Sequence, residues 1–97
     1  MADNLQLARA AHEAALATKG VHRLGTGRFV EAATYGAGEK ISGVVVTPER
    51  VQVHIVATYP LDKPVMELAQ NVRESVTPKV EGRETDVVVE DIEVVEE

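Results

Sequence analysis

Two changes of period organise the 97-residue chain. Between Val51 and Tyr59 apolar and polar positions alternate: Val51, Val53, Ile55, Ala57 and Tyr59 fall on one side, and Gln52, His54 and Thr58 on the other. That is the period-2 signature of a strand covered on one face. From Pro64 the period becomes helical, with Val65, Leu68, Ala69, Val72 and Val76 on one stripe and Glu67, Arg73 and Glu74 between them. Upstream, Leu5, Ala8, Ala11, His12, Ala15 and Leu16 share one broad face of a first helix, capped by Asp3 or Asn4 and running to about Thr18, with Gly20 beyond its end. Its many alanines predict close approach to a sheet.

Val21–Leu24 reads as a short extended piece, and Arg28–Tyr35 as a strand between the turns Gly25-Thr26-Gly27 and Gly36-Ala37-Gly38. Ile41–Thr47 and Val51–Tyr59 form a hairpin in which Val44–Val46 face Val51–Val56 antiparallel, with Pro48 in the turn. Pro64 suits the first turn of the second helix, and Pro78 stops or kinks that helix near Thr77. Asp86–Val95 is the closing strand. The expected fold is α+β in the order α-β-β-β-α-β, with an optional strand after the first helix. A three- to four-stranded, mainly antiparallel sheet carries both helices on one face. Leu68 and Val72 are expected to pack against Val53 and Ile55.

The length fits one domain over residues 1–97. Phe29, Tyr35 and Tyr59 are the only aromatic residues, and there is no cysteine, so disulfides and thiolate metal sites are excluded. No apolar run is long enough for a transmembrane helix or a signal-peptide core, so a cytoplasmic location without direct membrane insertion is expected. The net charge of −6 is concentrated at one end. Residues 81–97 hold eight acidic side chains against Arg83 alone, while residues 1–42 carry +1 and residues 43–80 are neutral. The acidic end 81–97 reads as a charged strand edge and frayed terminus, which phosphate backbones and anionic lipid would repel.

Candidate chemistry is sparse. The two glycine pairs lie between strands and match neither a P-loop nor a dinucleotide fingerprint, so they read as turns. His12, His22 and His54 show no metal-ligand spacing and read as half-exposed structural side chains; a zinc site would need distant histidines and the acidic end. Ser42 and Ser75 lack nucleophile context. The carboxylates of 81–97 read as a solvated end and not as a poised acid–base pair. KH-type RNA-binding modules share an α/β order, but their Gly-x-x-Gly loop is missing, and three aromatics on an acidic chain argue against nucleic-acid partners. No catalytic, cofactor-binding or metal residue is assigned, and no cofactor is expected.

The order of these segments resembles the alkaline shock protein family of Gram-positive bacteria. Three stretches carry the likeness: the alanine-rich helix leading into Gly20-Val21-His22-Arg23-Leu24-Gly25; Gly43–Val46 followed by Val51–Tyr59; and the helix Pro64–Val76 followed by Asp86–Ile92. The inserted Ala32–Gly36 segment is similar to the actinobacterial branch. The chain departs from the family at Pro78 and at Val80-Glu81-Gly82-Arg83, where the family's Thr-Gly-Leu ending is replaced. The resemblance implies a non-enzymatic, structural scaffold protein of the cell-envelope stress response. It implies self-association and docking to a small membrane-anchored partner at the inner face of the membrane. The alternative is a small-ligand or metal-binding module resting on the histidines and glycine turns. Self-association is expected at the closing strand, where carboxylates would meet Arg23, Arg28 or Arg50 of a neighbouring copy head to tail, weakening with salt.

Overall fold

The computed structural model describes residues 3–28 and 30–94; Phe29, which falls within the expected strand Arg28–Tyr35, and Val95 of the closing strand lie outside them. Helix α1 spans Asn4–Leu16. Asp3 caps it reciprocally: its carboxylate accepts from the Gln6 N–H at 2.8 Å, and the Gln6 side chain accepts from the Asp3 N–H at 3.0 Å. Leu7, Ala8, Ala11 and Ala15 form its buried stripe. Because three of these are alanine, α1 lies close over strands β1 (Val21–Leu24), β4 (Val44–Val46) and β5 (Arg50–Tyr59).

Strand β5 is the spine of the main sheet. Along one of its edges β4 pairs antiparallel with its first half (Val44 with Val53, Val46 with Val51), and β1 pairs antiparallel with its second half (Leu24 with Ile55, Val21 with Ala57). The His54 N–H donates to Gly43 and the His54 carbonyl accepts from Gly25, so the two short strands abut at that residue. Along the other edge runs β6 (Glu84–Val94), parallel to β5 over its whole length. The sheet thus has four strands. Strands β2 (Ala33–Gly36) and β3 (Glu39–Ser42) form a separate antiparallel hairpin.

The α+β class and the four-stranded sheet with both helices on one face agree with the sequence reading, but the order is α-β-β-β-β-β-α-β. Val21–Leu24 is a true strand. The expected Ile41–Thr47 strand is two strands, because Gly43 swivels the chain at φ 87° from the hairpin into the main sheet. A Cβ at position 43 would stand 2.6 Å from the Leu24 Cβ and 2.9 Å from the Gly25 carbonyl oxygen, so this is a site for glycine on both conformational and steric grounds. The expected strand from Arg28 shortens to Ala33–Gly36, since the described residues of the loop between β1 and β2, 25–28 and 30–32, join no strand and the Ala32 N–H donates to the Thr26 carbonyl.

Helix α2 spans Val65–Val76, and Pro78 converts the following turn, Thr77–Lys79, to 3-10 geometry. Val80 nevertheless continues the buried stripe of Leu68, Val72 and Val76. The helix packs beside α1 and over β6. Its last turn is tied to β6 by Arg73, which donates to the Thr85 carbonyl at 3.0 Å, and by the Thr77 and Thr85 hydroxyls at 3.1 Å. The core combines these stripes with Val44, Val51, Val53, Ile55 and Ala57, all fully buried. Leu68 and Val72 share one cluster with Val53 and Ile55, as their spacing predicts.

Candidate functional site

The polar phase of β5 faces away from both helices. On this open face stand Arg50, Gln52, His54 and Thr58, and β6 lays its carboxylates alongside them. Arg50 bonds Asp86 at 2.6 Å and Glu84 at 3.2 Å. Arg23 of β1 holds Glu93 in a two-point contact, Nε to Oε1 at 3.1 Å and Nη2 to Oε2 at 2.8 Å, and His22 lies 3.7 Å from the same carboxylate. Between these pairs, His54 Nδ1 lies 2.7 Å from Glu90 Oε2. A row of arginine and histidine side chains set against carboxylates therefore crosses the sheet.

This arrangement corrects two expectations. The described part of the acidic segment is a sheet-edge strand, as expected, but it is not merely solvated: it is docked parallel to β5, and Glu84, Asp86, Glu90 and Glu93 are met by side chains of the same chain. Arg23 and Arg50, expected to meet a neighbouring copy, are already engaged. The physical reason is register. Parallel pairing of Arg50 with Glu84 and of Val56 with Asp91 brings residues more than thirty positions apart onto one face.

The hydrogen bond from Arg23 holds the Glu93 carboxyl below the usual carboxylate range, and hydrogen bonding to Asp86 raises the Arg50 guanidinium. A carboxylate with a lowered folded-state pKa contributes stability that is present above its unfolded pKa and lost as pH falls through the folded value. Arg23→Gln is therefore expected to return the Glu93 titration, followed by carboxyl carbon NMR, to the ordinary range and to shrink the acid-side loss of stability. A Glu93 midpoint unchanged by the substitution would refute the pairing.

His54 and Glu90 are the least exposed of the charged pairs, with side-chain exposures of 13% and 9%. Glu90 reaches this position through a bulge. The ladder passes from Ile55–Val89 directly to Val56–Asp91, so Glu90 is the extra residue and its side chain is re-aimed toward the loop 25–32. Its Oε2 also accepts the Gly27 N–H at 2.8 Å. Gly25 lies directly against the carboxyl, and a methyl group there would overlap it. The other imidazole nitrogen, Nε2, lies 2.7 Å from Gln52 Oε1. The His54 side chain, 13% exposed, stands among β5, β6 and the loop and is more covered than the sequence reading expects.

Beside this pair the loop and sheet enclose a cleft of about 600 Å³. Val30, Ala32, Val45 and Val88 give it apolar walls; Gln52, His54 and Glu90 lie at its base, and Arg28 and Glu31 also line it. Glu31 is paired with Lys40 at 3.2 Å. The histidines themselves are dispersed: His12 Nδ1 lies 3.2 Å from the Ser42 carbonyl, while His22 and His54 meet different carboxylates. Among the described residues no three metal-ligating side chains converge, so the expected route to a zinc site through distant histidines finds no assembled set there. What the cleft can do chemically is bind: it offers apolar surface and hydrogen-bond donors in one place.

The chain matches no protein-family model, no curated protein and no solved structure.

Proposed function

We propose that the chain is a non-enzymatic scaffold protein that works by self-association, of the kind its likeness to alkaline shock proteins implies. In this reading it serves the cell-envelope stress response from the cytoplasmic face, docking to a small membrane-anchored partner. Among the described residues no helix is long and apolar enough to cross a membrane, which is consistent with a tether supplied by another protein. The observation that carries the reading is the state of β6. This strand is 11 residues long and, among the described residues, pairs with β5 alone, so its other edge takes no strand, although near its start the Thr85 carbonyl accepts from Arg73.

An open edge presents unpaired N–H and C=O groups to a second chain. The β4 edge is less available, because the Thr34 hydroxyl donates to the Val44 carbonyl at 2.7 Å and accepts from the Val46 N–H at 3.3 Å. The strand that best matches β6 in length is β6 of another copy, paired antiparallel about a two-fold axis. With Arg23 and Arg50 satisfied internally, such a contact rests on backbone hydrogen bonds and responds weakly to salt. It replaces the head-to-tail ionic contact expected from the sequence. Ile92, 40% exposed near the end of β6, provides the test. Sedimentation of the unsubstituted chain is expected to show a concentration-dependent dimer, and Ile92→Asp, which sets a further carboxylate beside Asp91 and Glu93 at the seam, a monomer with an unchanged circular dichroism spectrum. A monomer for the unsubstituted chain at several hundred micromolar would end the proposal.

The cleft favours a second reading, a small-ligand-binding module. Its volume lies within the range of sites for small organic molecules, about 300–1,000 Å³, and its base holds the pair His54–Glu90 in a fixed position. The two readings occupy different parts of β6 and are compatible in one protein.

A further inference from the structure

The cleft's polar groups are unequally satisfied, and that inequality selects a ligand. Two carboxylates line it, and both are engaged: Glu31 by Lys40 at 3.2 Å, and Glu90 by His54 and the Gly27 N–H at 2.7 and 2.8 Å. Arg28 lines the same cleft and has no carboxylate partner among the described residues. Gln52 turns its carbonyl to His54, and among the described residues its NH₂ group has no acceptor. Each carboxylate of the cleft therefore already has a partner, whereas its guanidinium and the NH₂ group of its primary amide do not. The rest of the lining is aliphatic, and Val30 stands 81% exposed above it.

We propose that the cleft binds a small amphipathic monocarboxylate, its apolar body against Val45, Val88 and Ala32 and its carboxylate toward Arg28 and Gln52. This rests on the second reading above, that the cleft takes a ligand. A guanidinium and a primary amide together supply charge-assisted hydrogen bonds to one carboxylate. A cationic ligand would face Arg28 and would have to share Glu31 and Glu90 with their present partners, Lys40 and His54. A phosphate dianion would bring a second negative charge against Glu31 and Glu90, and it would need more donors than these two groups provide. An uncharged apolar molecule would leave the donors unpaired on a desolvated surface, a penalty that a carboxylate removes.

The test is a titration of the full chain at neutral pH with octanoate, 1-octanol and octylammonium, followed by amide nitrogen–proton correlation NMR. Octanoate is expected to shift the Gly27, Gln52, His54 and Val88 amides saturably and to bind about tenfold or more tightly than octanol, the scale of one charge-assisted hydrogen bond. Octylammonium is expected to leave those amides in place. Arg28→Gln, at an exposed loop position, is expected to abolish the preference for octanoate over octanol while the rest of the spectrum is retained. Equal affinities for octanoate and octanol would overturn the carboxylate assignment while upholding a ligand cleft. If none of the three probes moved these amides saturably, both the assignment and the ligand reading would fall. Saturable shifts confined to the exposed Tyr59, Val65 and Met66 would place binding elsewhere and overturn the site.

Discussion

Leu68→Ala is expected to lower the unfolding free energy by roughly 2–5 kcal/mol, the range found for truncating a buried leucine where neighbours cannot close the gap. Leu68 is 1% exposed and belongs to the cluster that also contains Val53, Ile55, Val72 and Val76. Its end also presses on the backbone of Gly20, where a Cβ would lie 3.0 Å from Leu68 Cδ1. The backbone at Gly20 ties α1 to β5, since the Thr58 N–H donates to the Gly20 carbonyl, so that wall of the cavity is restrained. For a chain of this size, whose whole stability is expected to be about 5–15 kcal/mol, such a loss is a large share. Urea unfolding followed by circular dichroism measures it. Glu67→Ala, on the exposed side of the same helix, is expected to change stability by about 0.5 kcal/mol or less. Equal midpoints for Leu68→Ala and the unsubstituted chain would mean that α2 is not docked through this residue.

Glu90→Ala is the second large effect. The substitution leaves His54 and the Gly27 N–H without their acceptor in a nearly closed setting, at a cost of roughly 1–3 kcal/mol for buried polar groups left unpaired. It also frees the loop at Gly27 from β6, so amide exchange at Gly27 is expected to accelerate more than exchange in α2. Glu90→Gln keeps the shape and one acceptor oxygen, and its loss should be smaller. Gly25→Ala should resemble Glu90→Ala, because the new methyl group displaces the same carboxyl. A double-mutant cycle with His54→Ala isolates the coupling. Strict additivity of the two single effects would show that the imidazole and the carboxylate stabilise the chain independently.

The parts of the fold that rest on burial were legible in the sequence. Val51, Val53, Ile55 and Ala57 of β5 and the stripe Leu68–Val72–Val76 are buried because a half-covered strand and a surface helix require those periods; Tyr59, expected on the same side, is exposed at the strand's end, and Val56 of the other phase is buried. Gly43 was harder to read. The apolar residues on both sides of it disguised a change of sheet as one continuous strand, and the signal lay in a glycine that looked like the start of a valine run. The cleft was not legible for a different reason. Gln52 and His54 were correctly placed on the polar phase of β5, but their partner is thirty-six positions away from His54. It reaches them only through parallel pairing and a one-residue bulge. Composition registered the carboxylates of β6 as a charge total and gave no sign that Arg23, Arg50 and His54 would divide them. The alternation in Asp86–Val95 located the strand, while its direction, its neighbour and the irregularity at Glu90 depend on tertiary contacts that no local pattern encodes.

The parallel placement of β6 also sets the order in which the molecule can assemble. The β4–β5 hairpin closes across a turn in which the Thr47 N–H donates to the Arg50 carbonyl, so it forms at small entropic cost. The pairing of β5 with β6 begins thirty-four positions apart, at Arg50 and Glu84, and must enclose all of α2. Local contacts form fast and distant ones slowly, so the hairpin is expected to form before β6 closes the bare edge of β5. Until then Val51, Val53 and Ile55 border an uncapped ladder, and Arg50 waits for its carboxylates. If docking of β6 is the late step, a lesion in residues 84–94 is expected to slow refolding while leaving hairpin formation untouched, as stopped-flow refolding would show.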